Sequence, residues 1–343
     1  EAIFTEYAYF SSYSTSWLDH ARRYVDMAVE RFALDRDSLV VEVASNDGYL
    51  LRHFEPYGIP VLGIEPARNV AEAAQRLGIE TLTEFFGVDL ARSLVASRRQ
   101  ADLIIGNNVL AQVPDLNDFV AGLRIALAPA GTITLEFPHL ERLVAGTQFD
   151  TIYHEHFSYF SLHTVDRIFA AHGLTIFDVE ELPTHGGSLR IHVRHADQEG
   201  RPVTARTEAI LARERTQGIT DFGYYRAFDE KVKRAKRRLL SFLIDARESG
   251  RTVAGYGAPG KGNTLLNYCG IRTDLLAYTV DRNPYKQGKY LPGTRIPILG
   301  VDQIARTRPD FLLILPWNLE DEIVQQTRHI RDWGGRHVTP IPE

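Results

Sequence analysis

Two rhythms of apolar and polar positions run along the chain. From about Ser16 the spacing is helical, with Trp17, Tyr24 and Val29 recurring on one side. Beyond it come short apolar runs at 39–44, 60–65, 101–106 and 131–137, each predicted as a strand buried on both faces, with amphipathic stretches such as 69–77 and 116–127 between them. Strands alternating with helices predict right-handed βαβ units and a doubly wound sheet. Two later runs, 174–182 and 188–193, are joined only by Pro183 to Gly187, a link short enough to serve only an antiparallel pair.

A polar stretch from Asp197 to Arg226 has no strand signal and leads into a helical run ending near Glu248. Its basic residues, Lys231, Lys233, Arg234, Lys236, Arg237 and Arg238, read as a solvated helix face rather than a phosphate or nucleic-acid patch. Strands at 251–256, 275–280 and 310–315 then open a second βα series. The predicted organisation is α/β throughout. An aromatic-rich helical or lid segment (1–30) precedes a first doubly wound domain with an antiparallel last pair (31–196). A helical linker (197–249) leads to a second, Rossmann-like domain (250–343).

Composition narrows the functional classes. With 343 residues, 44% hydrophobic and 24% charged, the chain is that of a globular protein, and its net charge of −5 supplies no field for nucleic acid or an anionic membrane. No apolar run approaches the roughly 20 residues of a membrane span, and the start shows no signal-peptide pattern, so a cytoplasmic location is expected. The single cysteine, Cys269, excludes an internal disulfide and a multi-cysteine zinc module in these residues. The sequence begins at Glu1 without an initiator methionine, so a preceding segment is expected.

Three stretches carry candidate chemistry. The first predicted strand ends in Glu42-Val-Ala44-Ser45-Asn46-Asp47-Gly48, a tight turn before a helix. At such a strand end, backbone N–H groups face a ligand, and Glu65 (followed by Pro66) at the end of the next strand can accept both hydroxyls of a ribose. Asn107 and Asn108 would line the other side of the same crevice, and Phe85 and Phe86 either cover an adenine or cap the core. The turn lacks a dinucleotide fingerprint and suits an adenosine ligand without a pyrophosphate. Its alternative is a capped turn with Glu65 solvated.

The second stretch, Gly255-Tyr-Gly257-Ala-Pro-Gly260-Lys261-Gly262-Asn263-Thr264, satisfies Gly-x-Gly-x-x-Gly between a strand and a helix, with Asp281 about 20 residues on. It nearly matches a P-loop, but Gly262 stands where that motif needs a magnesium-binding hydroxyl. Both readings leave a nest of N–H groups beside a lysine, suited to a diphosphate, with Asp281, Asn283 and Gln287 available to the attached sugar or base. Otherwise the glycines only tighten a turn.

The third stretch is the densest: Gln148 to Tyr159 holds two phenols, two imidazoles and two carboxylates in twelve residues, poor core material directly after a strand. A metal held by His154 and His156 is disfavoured, because alternate positions of an extended segment point to opposite faces. His185, before Gly186-Gly187, is a further candidate for the site; His139, His163, His172, His192 and His195 read as structural. The Tyr7 to Tyr13 segment reads as a lid in preference to packing.

Taken together, these residues resemble the nucleotide-sugar C-methyltransferases of deoxysugar biosynthesis, a group of class I S-adenosylmethionine-dependent enzymes. Four blocks spread over nearly the whole chain carry the resemblance: Tyr7 to Trp17, Glu42 to Gly48, Asp150 to Ser158 with His185-Gly-Gly-Ser188, and Gly255 to Asn267. The resemblance implies that the 31–196 domain holds S-adenosylmethionine through Ala44, Ser45, Asn46, Gly48, Glu65, Pro66, Phe86, Asn107 and Asn108. The C-terminal domain would help grip a nucleotide-diphosphate sugar, with Tyr9, Gln112, His185, Lys261, Asn263, Thr264, Asp281 and Asn283 on the substrate. It implies His156 as base, with Tyr153, Glu155 and Tyr7 beside it, and no metal in these residues.

The chemistry fits that assignment. Methylating carbon needs a carbanion equivalent, and a 4-keto sugar supplies one when a base removes the proton α to the ketone, here expected at C3. There are two departures from the family pattern: the cysteine-rich zinc module is absent, and Gln112 stands where relatives often have histidine. The expected partner is the sugar nucleotide alone, with neither nucleic acid nor membrane, in a monomer or small homo-oligomer. A nicotinamide-dependent nucleotide-sugar oxidoreductase or epimerase, and a catalytically silent sugar-nucleotide-binding protein, remain as alternatives.

Overall fold

The computed structural model describes residues 10–341, so Tyr7 and Tyr9 lie outside the described residues. The chain divides into two compact units. The first comprises the described part of Glu1–His139 with Phe157–Leu182 and Ser188–Arg215; the second comprises Leu140–His156, Pro183–Gly187 and the described part of Thr216–Glu343.

The first unit is built on a seven-stranded sheet of β1 (Val40–Val43), β2 (Val61–Ile64), β3 (Thr81–Leu82), β4 (Ala101–Asn107), β5 (Leu127–Pro138), β6 (Leu174–Leu182) and β7 (Ser188–His195). Its order is β3-β2-β1-β4-β5-β7-β6. β1 to β5 pair in parallel, while β7 runs antiparallel to both neighbours, in register Glu136↔Arg190 and Glu180↔Arg190. The antiparallel last pair follows from the five-residue link, too short for a crossover. Both faces of the parallel strands are covered, which is why they read as unbroken apolar runs. Val41, Ile104, Ile133 and Val193 belong to one core and Val40, Leu103 and Ile105 to the other. The order reverses between β1 and β4, so the crevice outside the carboxyl ends of these strands is where a ligand binds in such a sheet.

The second unit holds a five-stranded parallel sheet, β10-β9-β8-β11-β12, of β8 (Val253–Tyr256), β9 (Thr279–Val280), β10 (Ile298–Leu299), β11 (Phe311–Ile314) and β12 (Arg336–Val338). The predicted strand at 275–280 pairs only at Thr279 and Val280. β3, β10 and β12 are too short to leave an apolar run.

Residues 140–156 and 183–187, which the sequence division places in the first domain, cluster instead with the second unit. The cores explain this. Phe149 is buried with Leu265, Leu266 and Trp317, whereas Phe160 and Leu162, a few residues on, are buried with Phe137 and Leu189 in the first unit. Among the described residues no helix is long and apolar enough to cross a membrane.

Candidate active site

In the first unit the predicted donor-binding residues gather at the carboxyl ends of the strands. The turn after β1 is conformationally strained: Ala44 (φ 58°) and Asn46 (φ 51°) adopt left-handed backbone along with Gly48 (φ 75°). A Cβ on Gly48 would lie 2.4 Å from Ile79 Cδ1 and would sit in strained left-handed backbone, so a side chain there must displace Ile79. Glu65 fixes the turn, accepting from Asn46 N at 3.0 Å and Ala67 N, after Pro66, at 2.8 Å. Asn107 follows on β4 and donates to the Tyr49 hydroxyl at 3.1 Å; left-handed Asn108 donates its N–H to the Glu136 carbonyl at 2.7 Å.

Three carboxyl groups share this turn. Burial pushes Glu42 well above the usual carboxylate range, opposed by Tyr49 and reinforced by Asp47 and Glu65. Burial also raises Glu65, against the two N–H donors, with Asp47 adding to the rise. Asp47 Oδ1 and Ser45 Oγ are buried with no hydrogen-bond partner among the described residues. Crowded, desolvated carboxyls beside orphaned acceptors suit a ligand that brings positive charge and N–H or O–H donors, as S-adenosylmethionine does with its sulfonium, ammonium and ribose groups.

The N-terminal segment covers the same turn. Ser11 N donates to Asn46 Oδ1 at 2.9 Å, and the Ser12 hydroxyl and N–H both donate to Asp47 Oδ2, at 2.6 and 3.2 Å. Trp17, on the following helix, stacks on Tyr49. Phe86 sits differently: its ring packs edge-on against Phe119 at the core, and Phe85 is exposed. Gln112 ends the short turn Leu110–Gln112 after β4.

The candidate base lies in the second unit. Residues 153–156 form a turn, closed by His156 N donating to Tyr153 O at 3.0 Å, rather than the extended segment assumed for the His154/His156 argument. His154 is exposed and Glu155 half-buried within that turn. His156 Nδ1 is 3.0 Å from the Thr151 carbonyl, which can only accept, so Nδ1 carries the hydrogen and Nε2 is the basic nitrogen. Burial lowers the imidazole's pKa, Thr151 opposes that, and the Lys261 charge lowers it further. The Tyr153 ring lies tilted against His156, with centroids 4.5 Å apart, and is 3.6 Å from the point a Gly260 Cβ would occupy.

Around this turn the structure assembles residues that the sequence reading does not single out. Trp317, just after β11, donates its indole N–H to Asp150 Oδ2 at 2.8 Å, and its ring carries the Lys261 ammonium at 4.5 Å. Lys261 Nζ also donates to Asn318 Oδ1 at 2.7 Å. Gln148 donates to the Gly186 carbonyl at 2.8 Å, and a Cβ on Gly186 would strike Trp317 at 2.5 Å, so left-handed His185 is carried on a tip pressed against the indole. Asp150 and Trp317 are 167 residues apart, and no local pattern signals their pairing.

The remaining predicted substrate ligands brace their own loops. Asp281 accepts from Ala258 N (2.7 Å) and Asn283 N (2.8 Å), and Asn283 Oδ1 from Tyr285 N (2.9 Å). Thr264 donates to the Gly260 carbonyl, and Asn263 accepts from Asn267. The five histidines read as structural include His139, His192, His195 and His172, bonded to Glu214, Glu180, the Leu127 carbonyl and Asn117.

Comparison with known proteins assigns this architecture. Residues 183–342 match a family described as the C-methyltransferase C-terminal domain, and residues 17–179 match a methyltransferase domain family. C-methyltransferase NovU of Streptomyces niveus is 39% identical over 345 residues, covering 100% of this chain and 81% of that protein. The chain belongs to the C-methyltransferase family. As a C-methyltransferase it is an S-adenosylmethionine-dependent enzyme, and the oxidoreductase and silent-binder alternatives give way. Solved structures similar in part include magnesium protoporphyrin IX methyltransferase from Synechocystis PCC 6803. It is 16% identical with a TM-score of 0.41, covering 51% of this chain and 82% of that one. An S-adenosylmethionine-dependent methyltransferase from Clostridium acetobutylicum ATCC 824 is 9% identical with a TM-score of 0.41, covering 52% and 92%.

Proposed function

We propose that this C-methyltransferase acts on a nucleoside-diphosphate 4-keto-deoxysugar and methylates C3, with His156 as the base. The observation that carries the reading is the Nδ1 contact with the Thr151 carbonyl, which leaves Nε2 basic, on a ring whose burial favours the neutral form. Nε2 takes the C3 proton; the C–H electron pair becomes the C3–C4 double bond, and the carbonyl π pair moves onto O4. Tyr153, whose ring lies tilted against the base, or Tyr7 donates to that oxygen. Glu155 orients a catalytic side chain or a substrate hydroxyl, and His185 and Gln112 contact the sugar. Ala44, Ser45, Asn46, Gly48, Glu65, Pro66, Asn107 and Asn108 would hold the donor, whose sulfonium supplies the methyl group. The C3–C4 π pair forms the new C–C bond, the C4 carbonyl re-forms, and the sulfur keeps the pair of the broken S–C bond and leaves as a neutral thioether. His156 then passes its proton to water.

The nucleotide-sugar substrate draws support from the family resemblance and from the ketone that carbon methylation by an imidazole base requires. Both carbons flanking C4 carry acidic hydrogens, so the test is proton exchange in D₂O without donor, using dTDP-4-keto-6-deoxyglucose as probe and NMR as readout. Loss of the H3 signal with the wild type, and its retention with His156→Asn, is expected. Exchange at H5 would move the reaction to C5, and exchange by the variant at the wild-type rate would remove His156 as base.

A further inference from the structure

The sequence reading assigns Lys261 to the substrate's diphosphate, yet its ammonium is already committed inside the protein. Asn318 Oδ1 accepts from it at 2.7 Å, and the Trp317 face holds it at 4.5 Å. Trp317 in turn is fixed by Asp150 Oδ2 at 2.8 Å, and Asp150 belongs to the Phe149–Thr151 turn whose Thr151 carbonyl holds the base. From the other direction, the backbone of Gly260, next to Lys261, faces the Tyr153 ring, which lies tilted against His156 at 4.5 Å. The lysine and the imidazole are therefore linked through two routes within the second unit.

Resting on His156 as the base, we propose that Lys261 is a positioning residue for proton abstraction, a fixed cation that the Asp150–Trp317–Asn318 cluster holds against the base, and not an anchor for the diphosphate. Its charge acts in two ways. Repulsion adds to burial in keeping the imidazole unprotonated in the resting enzyme, and attraction favours the anion that forms when the proton leaves carbon. The Lys261 charge acts on His156, and Asp150 acts on Lys261. Burial lowers Lys261 to about 8, against the pull of Asp150. The cation is accordingly present at neutral pH and titrates within an accessible range.

The experiment is the pH dependence of H3 exchange and of methyl transfer, on the full chain, with dTDP-4-keto-6-deoxyglucose as probe, for wild type, Lys261→Met and Lys261→Arg. The wild type is expected to lose activity as pH rises through about 8. Lys261→Met should lower kcat roughly 100-fold with KM little changed, lose that alkaline limb, and move the acid limb up toward the ordinary imidazole value of about 6.5. Lys261→Arg should restore much of kcat and carry the alkaline limb out of range. A raised KM with unchanged kcat and unchanged limbs in Lys261→Met would make the residue a diphosphate anchor and overturn the proposal. If His156→Asn also exchanged H3 normally, the base assignment itself would be at fault, and the two failures are thereby told apart.

Discussion

Asp150 pays for its position, and replacing it by asparagine should make the protein more stable while making it a poorer enzyme. Burial raises its carboxyl from 3.8 to about 6, despite the opposing Trp317 hydrogen bond and the Lys261 charge. Because the folded pKa lies above the unfolded one, the native state holds the proton more tightly. Stability is unaffected below pH 3.8, falls as pH rises between the two values, and stays reduced above about 6. A shift of this size corresponds to about 3 kcal/mol. Asp150→Asn keeps an oxygen acceptor for the indole N–H and removes the charge, so at pH 7.5 it should recover most of that amount, and at pH 4 almost none. The assay is denaturant unfolding from pH 4 to 8, followed by tryptophan fluorescence, which includes Trp317. A variant less stable than wild type at pH 7.5, or a gain independent of pH, would refute the reasoning. The same variant deprives Lys261 of its counter-charge, so its alkaline limb should move below the wild-type position.

Three further outcomes follow from the geometry. His156→Asn should leave donor affinity, measured calorimetrically, within about twofold while lowering kcat by roughly 10²- to 10⁴-fold; near-normal turnover contradicts the base assignment. Gly48→Ala forces a Cβ into left-handed backbone and against Ile79 Cδ1, which should cost about 1–3 kcal/mol and weaken donor binding, and an unchanged melting curve would show that the turn relaxes freely. Ser12→Ala removes the hydroxyl bond to Asp47 Oδ2 and should raise the donor's Kd roughly 5- to 10-fold, from about 1 kcal/mol of lost hydrogen bonding, with kcat nearly unchanged. An unaltered Kd would mean that the segment is packing and not a lid.

The sheet was legible wherever strands are long and buried on both faces: 39–44, 60–65, 101–106 and 131–137 all contain strands, and the five-residue link at Pro183 dictates the antiparallel pair. The two-residue strands β3 and β10 left no signal because pairing there is decided by neighbours far along the chain. The turn after β1 was legible from its small residues, but its strain was not, since Ala44 and Asn46 adopt backbone that composition does not announce. In the second unit Lys261 was noticed for its glycines and assigned a ligand; its commitment to Trp317 and Asn318 depends on contacts 56 and 57 positions away. The allegiance of Asp150 to His156 was hidden likewise, because it is set by whether Phe149 or Phe160 is buried in one core or the other. Phe86 shows the reverse case, an aromatic whose suggested ligand role is matched by ordinary packing on Phe119.

The central claim is that the methyl group goes to a carbon beside the ketone of a nucleotide sugar. The most direct test is incubation of the full chain with dTDP-4-keto-6-deoxyglucose and S-adenosylmethionine labelled with ¹³C in its methyl group, followed by carbon-coupled NMR of the product. The account predicts a labelled methyl bonded to C3, with H3 gone. Label on oxygen or nitrogen, or no label on the sugar while S-adenosylmethionine binds normally, would contradict it.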